Sequence, residues 1–128
     1  MLLLLNTSAP LCTITLIDTD APHTTNWQAD RLLARDLLSK IRDSLQDSSS
    51  DFEHITGIGV MKGPGSFTGL RIGLTVANTL AESLEVPIIG ESGEDWQAKV
   101  RSRLDDGQND RIVMPNYGME PNISKQRK

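Results

Sequence analysis

Residues 62–73 carry the residue types and spacing best suited to chemistry, in a glycine-rich turn between two apolar segments. They read Lys-Gly-Pro-Gly-Ser-Phe-Thr-Gly-Leu-Arg-Ile-Gly. A Gly-Pro-Gly turn between a strand and a helix leaves backbone N–H groups free at a helix N-terminus, which carries a partial positive charge and can bind an anion. Ser66 and Thr68 are both able to cap such a helix. The segment therefore suggests a nucleotide site.

The glycine spacing, however, fits neither of the two common phosphate-binding motifs. A Walker A loop needs Gly, four residues and then Gly-Lys-Ser/Thr, but counting from Gly63 puts Thr68 at the second glycine. The Gly-x-Gly-x-x-Gly fingerprint fails as well, because its third glycine is Thr68 when counted from Gly63 and Lys62 when counted from Gly57. The preferred interpretation is that these glycines allow a tight turn and close helix packing. The motif turn comprises Gly63, Pro64, Gly65, Ser66, Phe67, Thr68 and Gly69.

Other reactive side chains are scattered along the sequence. His23 and His54 have no second ligand at a spacing typical of metal sites. Cys12 lies within an apolar strand, where a buried inert thiol is expected. Asp18 and Asp20 could bind a metal, although a turn after a strand is the commoner meaning of such a pair. The sequence therefore predicts no catalytic residue, no metal and no cofactor.

Composition restricts the class of protein. The chain has 128 residues, a net charge of −4 and one cysteine, so it can form no internal disulfide. A single unpaired cysteine and the lack of a membrane-length apolar run predict a cytoplasmic protein that binds no membrane. The acidic balance does not favour nucleic-acid binding. Only the tail is basic, at Lys125, Arg127 and Lys128, and a solvated terminus is the expected meaning.

The elements that must position the glycine-rich turn follow from hydrophobic periodicity. Alternation or short apolar runs predict strands, and spacings of three and four predict helices. Strand–helix–strand units imply a parallel part of a sheet, and an opening hairpin adds an antiparallel part. The sequence therefore predicts an α/β fold, a mixed sheet with helices packed on it. The predicted order is β-β-β-α-β-α-β-α, with strands at 2–6, 12–18, 23–27, 55–61 and 86–90 and helices at 28–45, 66–84 and 95–104.

The predicted helix after the turn is apolar on more than one side. It carries no charge between Ile72 and Ala81. A helix that is apolar all round is expected to be buried all round. A row of small side chains would let a helix of a second protein approach closely, whereas the alternative is an internal helix covered by the helix at 28–45. Both interpretations remain open. The small residues, four apart, are Gly69, Gly73, Ala77 and Ala81.

Residues 62–73 resemble the hallmark motif of the bacterial TsaB family, formerly called YeaZ. The likeness continues through residues 74–90, and the opening Leu5-Asn6-Thr7-Ser8 is similar to the family's first strand and its Asp-Thr-Ser. It covers roughly residues 1–95. The Gly-Pro-Gly-Ser-Phe-Thr-Gly-Leu-Arg run is long and rather specific to this family.

The resemblance implies a fold and a function. TsaB proteins have the actin-like ATPase superfold in its ribonuclease-H-like form, and they help to make threonylcarbamoyladenosine beside the tRNA anticodon. In that family TsaB is not the catalyst. It pairs with the ligase subunit TsaD through helices of its N-terminal domain, and the ATPase TsaE joins them. The same helices are expected to form a homodimer when the partner is absent, and contact with tRNA is only indirect.

The sequence departs from the family pattern at three places. Asn6 replaces the aspartate of Asp-Thr-Ser, which further weakens nucleotide binding. Gln28-Ala29-Asp30 replaces the His-Ser-Glu at the start of the first helix. Only about 38 residues follow Gly90, where the family has a second domain. We therefore expect an N-terminal domain at 1–95 and, at 96–128, a remnant of the second domain with one helix and an extended tail.

The main hypothesis is a non-catalytic scaffold that binds and activates a TsaD-type ligase through its two long helices. Arg71 is expected to orient the turn or to reach across to the partner. The alternative is a small nucleotide-dependent phosphotransferase or hydrolase that uses the turn at 63–68. The residues predicted to contact the partner are Leu33, Leu37, Ile41, Leu70, Arg71, Gly73, Leu74, Ala77 and Ala81.

Overall fold

The computed structural model of the protein describes residues 1–19 and 21–118. Asp20 of the candidate aspartate pair and the basic tail residues Lys125, Arg127 and Lys128 lie outside these ranges. Two short 3-10 turns, Asp30–Leu32 and Phe52–His54, accompany the main elements. The main elements in chain order are β1 (Leu2–Asn6), β2 (Leu11–Ile17), β3 (His23–Gln28), α1 (Leu33–Asp47), β4 (Gly57–Met61), α2 (Phe67–Leu84), β5 (Ile88–Glu91) and α3 (Trp96–Asp105).

The five strands found in the described ranges form one mixed sheet in the order β3-β2-β1-β4-β5. The first three strands pair antiparallel, with Leu3 opposite Leu16 and Cys12 opposite Trp27. β1 pairs parallel with β4, and β4 with β5. Both crossover connections contain a helix, as parallel neighbours require. The predicted order of elements and the predicted mixed sheet are confirmed.

One face of the sheet carries α1 and α2. The alternation predicted for β2 is confirmed, because Cys12, Ile14 and Leu16 all point into this core. Burying a leucine or isoleucine side chain stabilises the fold by about 1.5–3 kcal/mol. This core therefore fixes how the two long helices lie on the sheet. Its helix side chains include Leu37, Ile41, Leu70 and Leu74.

The opposite face of the sheet carries α3. Leu4 and Ile89 of the sheet pack there with Trp96 and Val100 of α3. A Cβ atom at Gly59 would overlap the Val100 side chain, so this glycine permits the close approach of α3 to β4. Since both faces of β1 and β4 are covered, these strands read as continuous apolar runs. The helix assigned to the segment at 96–128 thus packs on the same sheet as the preceding residues.

The first helix begins later than predicted. The sequence predicted a helix from residue 28, but β3 continues to Gln28 and α1 begins at Leu33. The N–H of Ala29 donates to the carbonyl of Pro10 at 3.1 Å, which extends the pairing with β2 beyond the strand itself. Pairing with β2 therefore places in β3 a residue that the helical periodicity had assigned to the first helix. The short strand predicted at 23–27 is confirmed.

Candidate partner interface

The glycine-rich turn packs against the connection between β1 and β2. The N–H of Ser66 donates to the carbonyl of Ser8 at 2.7 Å. The Thr7 hydroxyl donates to the carbonyl of Gly69 at 2.7 Å. Ser66 is the N-cap of α2, and its hydroxyl accepts the N–H of Gly69 at 3.3 Å, as predicted. These contacts place the start of α2 directly on the end of β1.

The glycines of the motif leave room for this packing. A Cβ atom at Gly65 would overlap the carbonyl of Ser8, and one at Gly69 would overlap the carbonyl of Thr7. Gly63 has a φ of +114°, a backbone conformation that residues other than glycine rarely adopt. The interpretation of the glycines as tight-turn and packing residues is confirmed.

A small cavity lies beside the turn, but it offers little chemistry. Its volume is 190 Å³, and its lining includes Thr7, Cys12, Arg31 and Ser66. Burial raises the pKa of the Cys12 thiol, so the thiol stays protonated at neutral pH. Among the lining side chains that the structure describes there is no carboxylate and no histidine, so these residues supply no general base for a nucleophile.

The residues predicted to contact a partner lie mostly in the core. In α1 and α2 they face the sheet or each other, and the apolar ones are at most 4% exposed. The prediction that they form an accessible surface is therefore wrong, and only Arg71 is exposed. The physical reason is the small-residue strip: a Cβ atom at Gly73 would overlap the Thr7 side chain, so the strip faces β1. The buried residues are Leu33, Leu37, Ile41, Leu70, Gly73, Leu74, Ala77 and Ala81.

The other apolar strip of α2 faces outward. Ile72, Val76, Leu80 and Leu84 recur every four residues and are only partly buried. Leu38 of α1 lies beside them and is 50% exposed. Sequence reasoning predicted the helix correctly but expected the small-residue strip to contact the partner, whereas the bulkier strip is the one left at the surface. The four-residue spacing is the same in both strips, so side-chain size was the one available signal that distinguishes them.

Two shallow depressions line this outward face, and together they form what we term the α1–α2 groove. The first has a volume of 410 Å³ and the second 360 Å³. Both are lined by α1 and α2 side chains, with Phe52 contributing to the second. The groove is lined by Ala34, Leu38, Ser39, Arg42, Phe52, Thr68, Arg71, Ile72, Thr75, Val76, Leu80, Ser83 and Leu84.

An aromatic stack borders one end of the groove. The rings of Phe67 and Tyr117 stack with centroids 4.4 Å apart and an interplanar angle of 25°. The guanidinium of Arg71 lies 5.6 Å from the centre of the Phe67 ring. Phe67 is nevertheless 56% exposed, so this aromatic surface adjoins the groove without closing it.

Metal and membrane sites have no counterpart in the part of the chain that the structure describes. There, no three or more His, Cys, Asp or Glu side chains gather where they could hold a metal ion. His54 instead contacts Asp51, with 2.9 Å between Nδ1 and Oδ1. Over the same ranges no helix combines the length and apolarity needed to span a membrane.

Comparison with known proteins gives consistent matches. The family model described as TsaD, tRNA N6-adenosine threonylcarbamoyltransferase, matches residues 27–105. The tRNA threonylcarbamoyladenosine biosynthesis protein TsaB of Haemophilus influenzae is 30% identical over 84% of this chain and 46% of its own length. TsaB of Escherichia coli is 31% identical over 71% of this chain and 39% of its own length.

Solved structures agree with these relatives. YeaZ from Pseudomonas aeruginosa superposes with a TM-score of 0.69 at 31% identity, covering 83% of this chain and 49% of that protein. The mixed sheet and these matches fit the actin-like, ribonuclease-H-like fold. The chain spans less than half the length of the relatives named here. The TsaD family model covers more than half of the chain and the relatives named here are TsaB or YeaZ proteins, so the chain belongs to the TsaB (YeaZ) family.

Proposed function

We propose that this chain acts in the biosynthesis of threonylcarbamoyladenosine in tRNA, as a non-catalytic subunit that binds and activates a TsaD-type ligase. The relatives named above are tRNA threonylcarbamoyladenosine biosynthesis proteins, which supports this pathway. The observation that carries the proposal is the exposed α1–α2 groove. A TsaE-type ATPase joins the pair, tRNA is contacted only through the partner, and the complex works in the cytoplasm.

The groove has the form that a helix of a partner requires. Ile72, Val76 and Leu80 present one apolar strip at the four-residue spacing that interdigitates with another helix. Exposed apolar surface bordered by polar groups is typical of a protein interface. Arg71 and Arg42 line the two depressions, so the matching helix carries apolar side chains flanked by acidic ones. Arg71 thus keeps the role of reaching across to the partner.

The non-catalytic assignment is supported by the contents of the glycine-rich turn. The N–H groups of Ser66 and Gly69 donate to oxygen atoms of the chain itself, and the carbonyls of Ser8 and Thr7 lie where a side chain at Gly65 or Gly69 would be. The described side chains that line the adjoining cavity include no carboxylate and no histidine. A phosphotransferase or hydrolase would need donors directed at a phosphate and a base near its nucleophile.

The test is co-purification with the TsaD-type protein of the same organism. Val76→Lys places a charge in the α1–α2 groove and is expected to reduce recovery of the complex at least tenfold. Thr79→Lys is the matched control, because Thr79 is exposed on the same helix but lines neither depression of the groove. Equal recovery of the complex with both variants would remove the proposed interface.

Calorimetry distinguishes the proposal from the enzymatic alternative. The isolated chain is titrated with ATP and magnesium, and no binding heat is expected. Micromolar binding would instead favour a nucleotide-dependent phosphotransferase or hydrolase acting at residues 63–68. The same chain, sized alone, reports whether the α1–α2 groove forms a homodimer: Val76→Lys would abolish such a dimer and Thr79→Lys would not.

A further inference from the structure

The two edge strands of the sheet differ in whether other residues of the chain hydrogen-bond to their outer backbone groups. At the β5 edge, the N–H of Asp110 donates to the carbonyl of Ile88 at 2.8 Å. The Asn109 side chain accepts the N–H of Ile88 at 3.0 Å, and the Asp110 carboxylate accepts the N–H of Gly90 at 3.0 Å. This edge is therefore closed by residues 109–110. Among the residues that the structure describes, β3, at the other edge, pairs only with β2.

The hydrogen-bond pattern identifies which backbone groups of β3 are open. Antiparallel pairs alternate between residues that exchange hydrogen bonds and residues that do not. Since Ala29 donates to Pro10, the bonded pairs along the register are Cys12 with Trp27, Ile14 with Thr25 and Leu16 with His23. The remaining residues of β3 direct their N–H and C=O groups away from β2. Those residues are Thr24, Asn26 and Gln28.

These open groups have no partner within residues 1–19 and 21–118, where no hydrogen bond involves the backbone of Thr24, Asn26 or Gln28. All three residues are exposed. Edge strands are commonly protected by proline, by charged side chains or by a bulge. β3 reads His-Thr-Thr-Asn-Trp-Gln, with no proline, lysine or acidic residue, and its register with β2 is unbroken. The strand is therefore an unprotected template for another strand.

The sequence of β3 is complementary to itself about Asn26. We propose that β3 pairs antiparallel with β3 of a second copy of this chain, with Asn26 facing Asn26 and Thr24 facing Gln28. In this register each facing pair exchanges two backbone hydrogen bonds, because all three residues point outward. The facing side chains are uncharged and able to hydrogen-bond, and no like charges meet. The two sheets become one continuous sheet.

This interface is separate from the α1–α2 groove and does not rest on the proposed function. The Thr25 side chain contacts Ser44 of α1 at 3.2 Å, so odd-numbered side chains of β3 face the helices. The Asn26 side chain lies on the opposite face, where it accepts from the Thr13 hydroxyl at 3.0 Å. Two strands this short bury less surface than a stable interface needs. The dimer is therefore weak and depends on concentration.

Sedimentation velocity from micromolar to millimolar chain concentration tests the proposal with a charge swap. Asn26→Lys and Asn26→Asp each place like charges together at the two-fold axis, and each is expected to weaken dimerisation at least tenfold. An equimolar mixture is expected to restore a dimer that contains one copy of each variant. Thr79→Lys, at an exposed position of α2 outside the α1–α2 groove, is the control and leaves the dimer unchanged, whereas Val76→Lys identifies a dimer that uses the groove instead.

Each outcome of this experiment either supports or overturns pairing through β3. Loss of the dimer in both single variants and its recovery in the mixture supports the pairing at Asn26. A wild-type chain that is monomeric at every concentration overturns it. So does a dimer that survives both substitutions, or one that is lost with Val76→Lys alone, because that dimer would use the helices. Circular dichroism of each variant shows whether the chain has kept its fold, which an exposed substitution should preserve.

Discussion

The hydroxyl of Thr7 donates a hydrogen bond of 2.7 Å to the carbonyl oxygen of Gly69, joining the end of β1 to the first turn of α2. Thr7 is only 2% exposed, so water does not replace this bond. The carbonyl of the next residue, Ser8, accepts the N–H of Ser66. The β1–β2 connection and the glycine-rich turn therefore form one packed unit, and the glycines serve its spacing.

Gly73→Ala tests this packing. A Cβ atom at Gly73 would overlap the Thr7 side chain, so α2 or β1 must shift to accept it. We expect the free energy of unfolding to fall by about 1–3 kcal/mol, as overpacking of a core does. Urea denaturation measures the change. Thr75→Ala is the control on the exposed side of the same helix and is expected to change stability by less than about 0.5 kcal/mol. Equal stability of the two variants would contradict the close approach.

Ala77→Asp tests which strip of α2 is internal. Ala77 is 0% exposed, so the carboxylate introduced by the substitution would be buried without a partner. We expect the free energy of unfolding to fall by more than about 4 kcal/mol. The cooperative thermal transition followed by circular dichroism should then be lost. Thr79→Asp, two residues along on the exposed side, should retain the transition. If Ala77→Asp unfolds as cooperatively as Thr79→Asp, the small-residue strip is accessible after all.

Much of the fold could be predicted because local patterns and tertiary packing agree. The alternation of β2 and the apolar run of β1 identify the sheet core, and Ser66 identifies the start of α2. The start of α1 could not be predicted in the same way. Residues near Gln28 suit a helix locally, but pairing with β2 takes them into β3. That competition depends on contacts between residues distant in the sequence.

The orientation of α2 is the part of the site that the sequence did not determine. Both of its apolar strips repeat every four residues, so periodicity alone cannot say which one faces the sheet. The deciding contact is that of Gly73 with Thr7, because only the strip without large side chains lets the helix approach β1. The bulkier strip, with Val76 at its centre, is then left at the surface.

Asn78→Ala tests the attachment of the segment after α3. The Asn78 side chain donates to the carbonyl of Val113 at 3.0 Å and accepts the N–H of Val113 at 2.9 Å. Removing the side-chain amide leaves the N–H and the carbonyl of Val113 without these partners. We expect the free energy of unfolding to fall by about 1–3 kcal/mol. Hydrogen exchange of the Val113 amide should accelerate, while amides in the centre of β1 keep their protection. Unchanged exchange at Val113 would show that other contacts hold the segment.

Asp110 predicts a pH dependence of stability. Burial acts to raise the pKa of Asp110, but the hydrogen bonds from Arg103 and Gly90 and the charges of Arg103 and Lys62 outweigh it, so the pKa lies below its usual value. A lowered pKa in the folded state stabilises the fold above the unfolded pKa of about 3.9, and this stabilisation is lost as the pH falls through the folded pKa.

Asp110→Asn is therefore expected to flatten the loss of stability below about pH 4 and to cost about 1–3 kcal/mol near neutral pH. Thermal unfolding between acidic and neutral pH measures both effects. Asp106→Asn is the control, because it changes the net charge by the same amount at an exposed position that has no ion pair among the described residues. Its stability should fall at acidic pH as that of the wild type does. Parallel pH profiles of the wild type and Asp110→Asn would rule out this role of the carboxylate.

Cys12 predicts that thiol labelling reports on opening of the core. The side chain is 1% exposed, and burial raises the pKa of its thiol, so the reactive thiolate is both scarce and shielded. We expect a thiol reagent to label the native chain at least about a hundredfold more slowly than the urea-unfolded chain, with the rate rising as urea promotes opening. The variant Ser39→Cys adds an exposed thiol and should label one site at once while Cys12 stays protected. Prompt labelling of two thiols in that variant under native conditions would mean that the core beneath β2 opens easily, against the packing described for Cys12, Ile14 and Leu16.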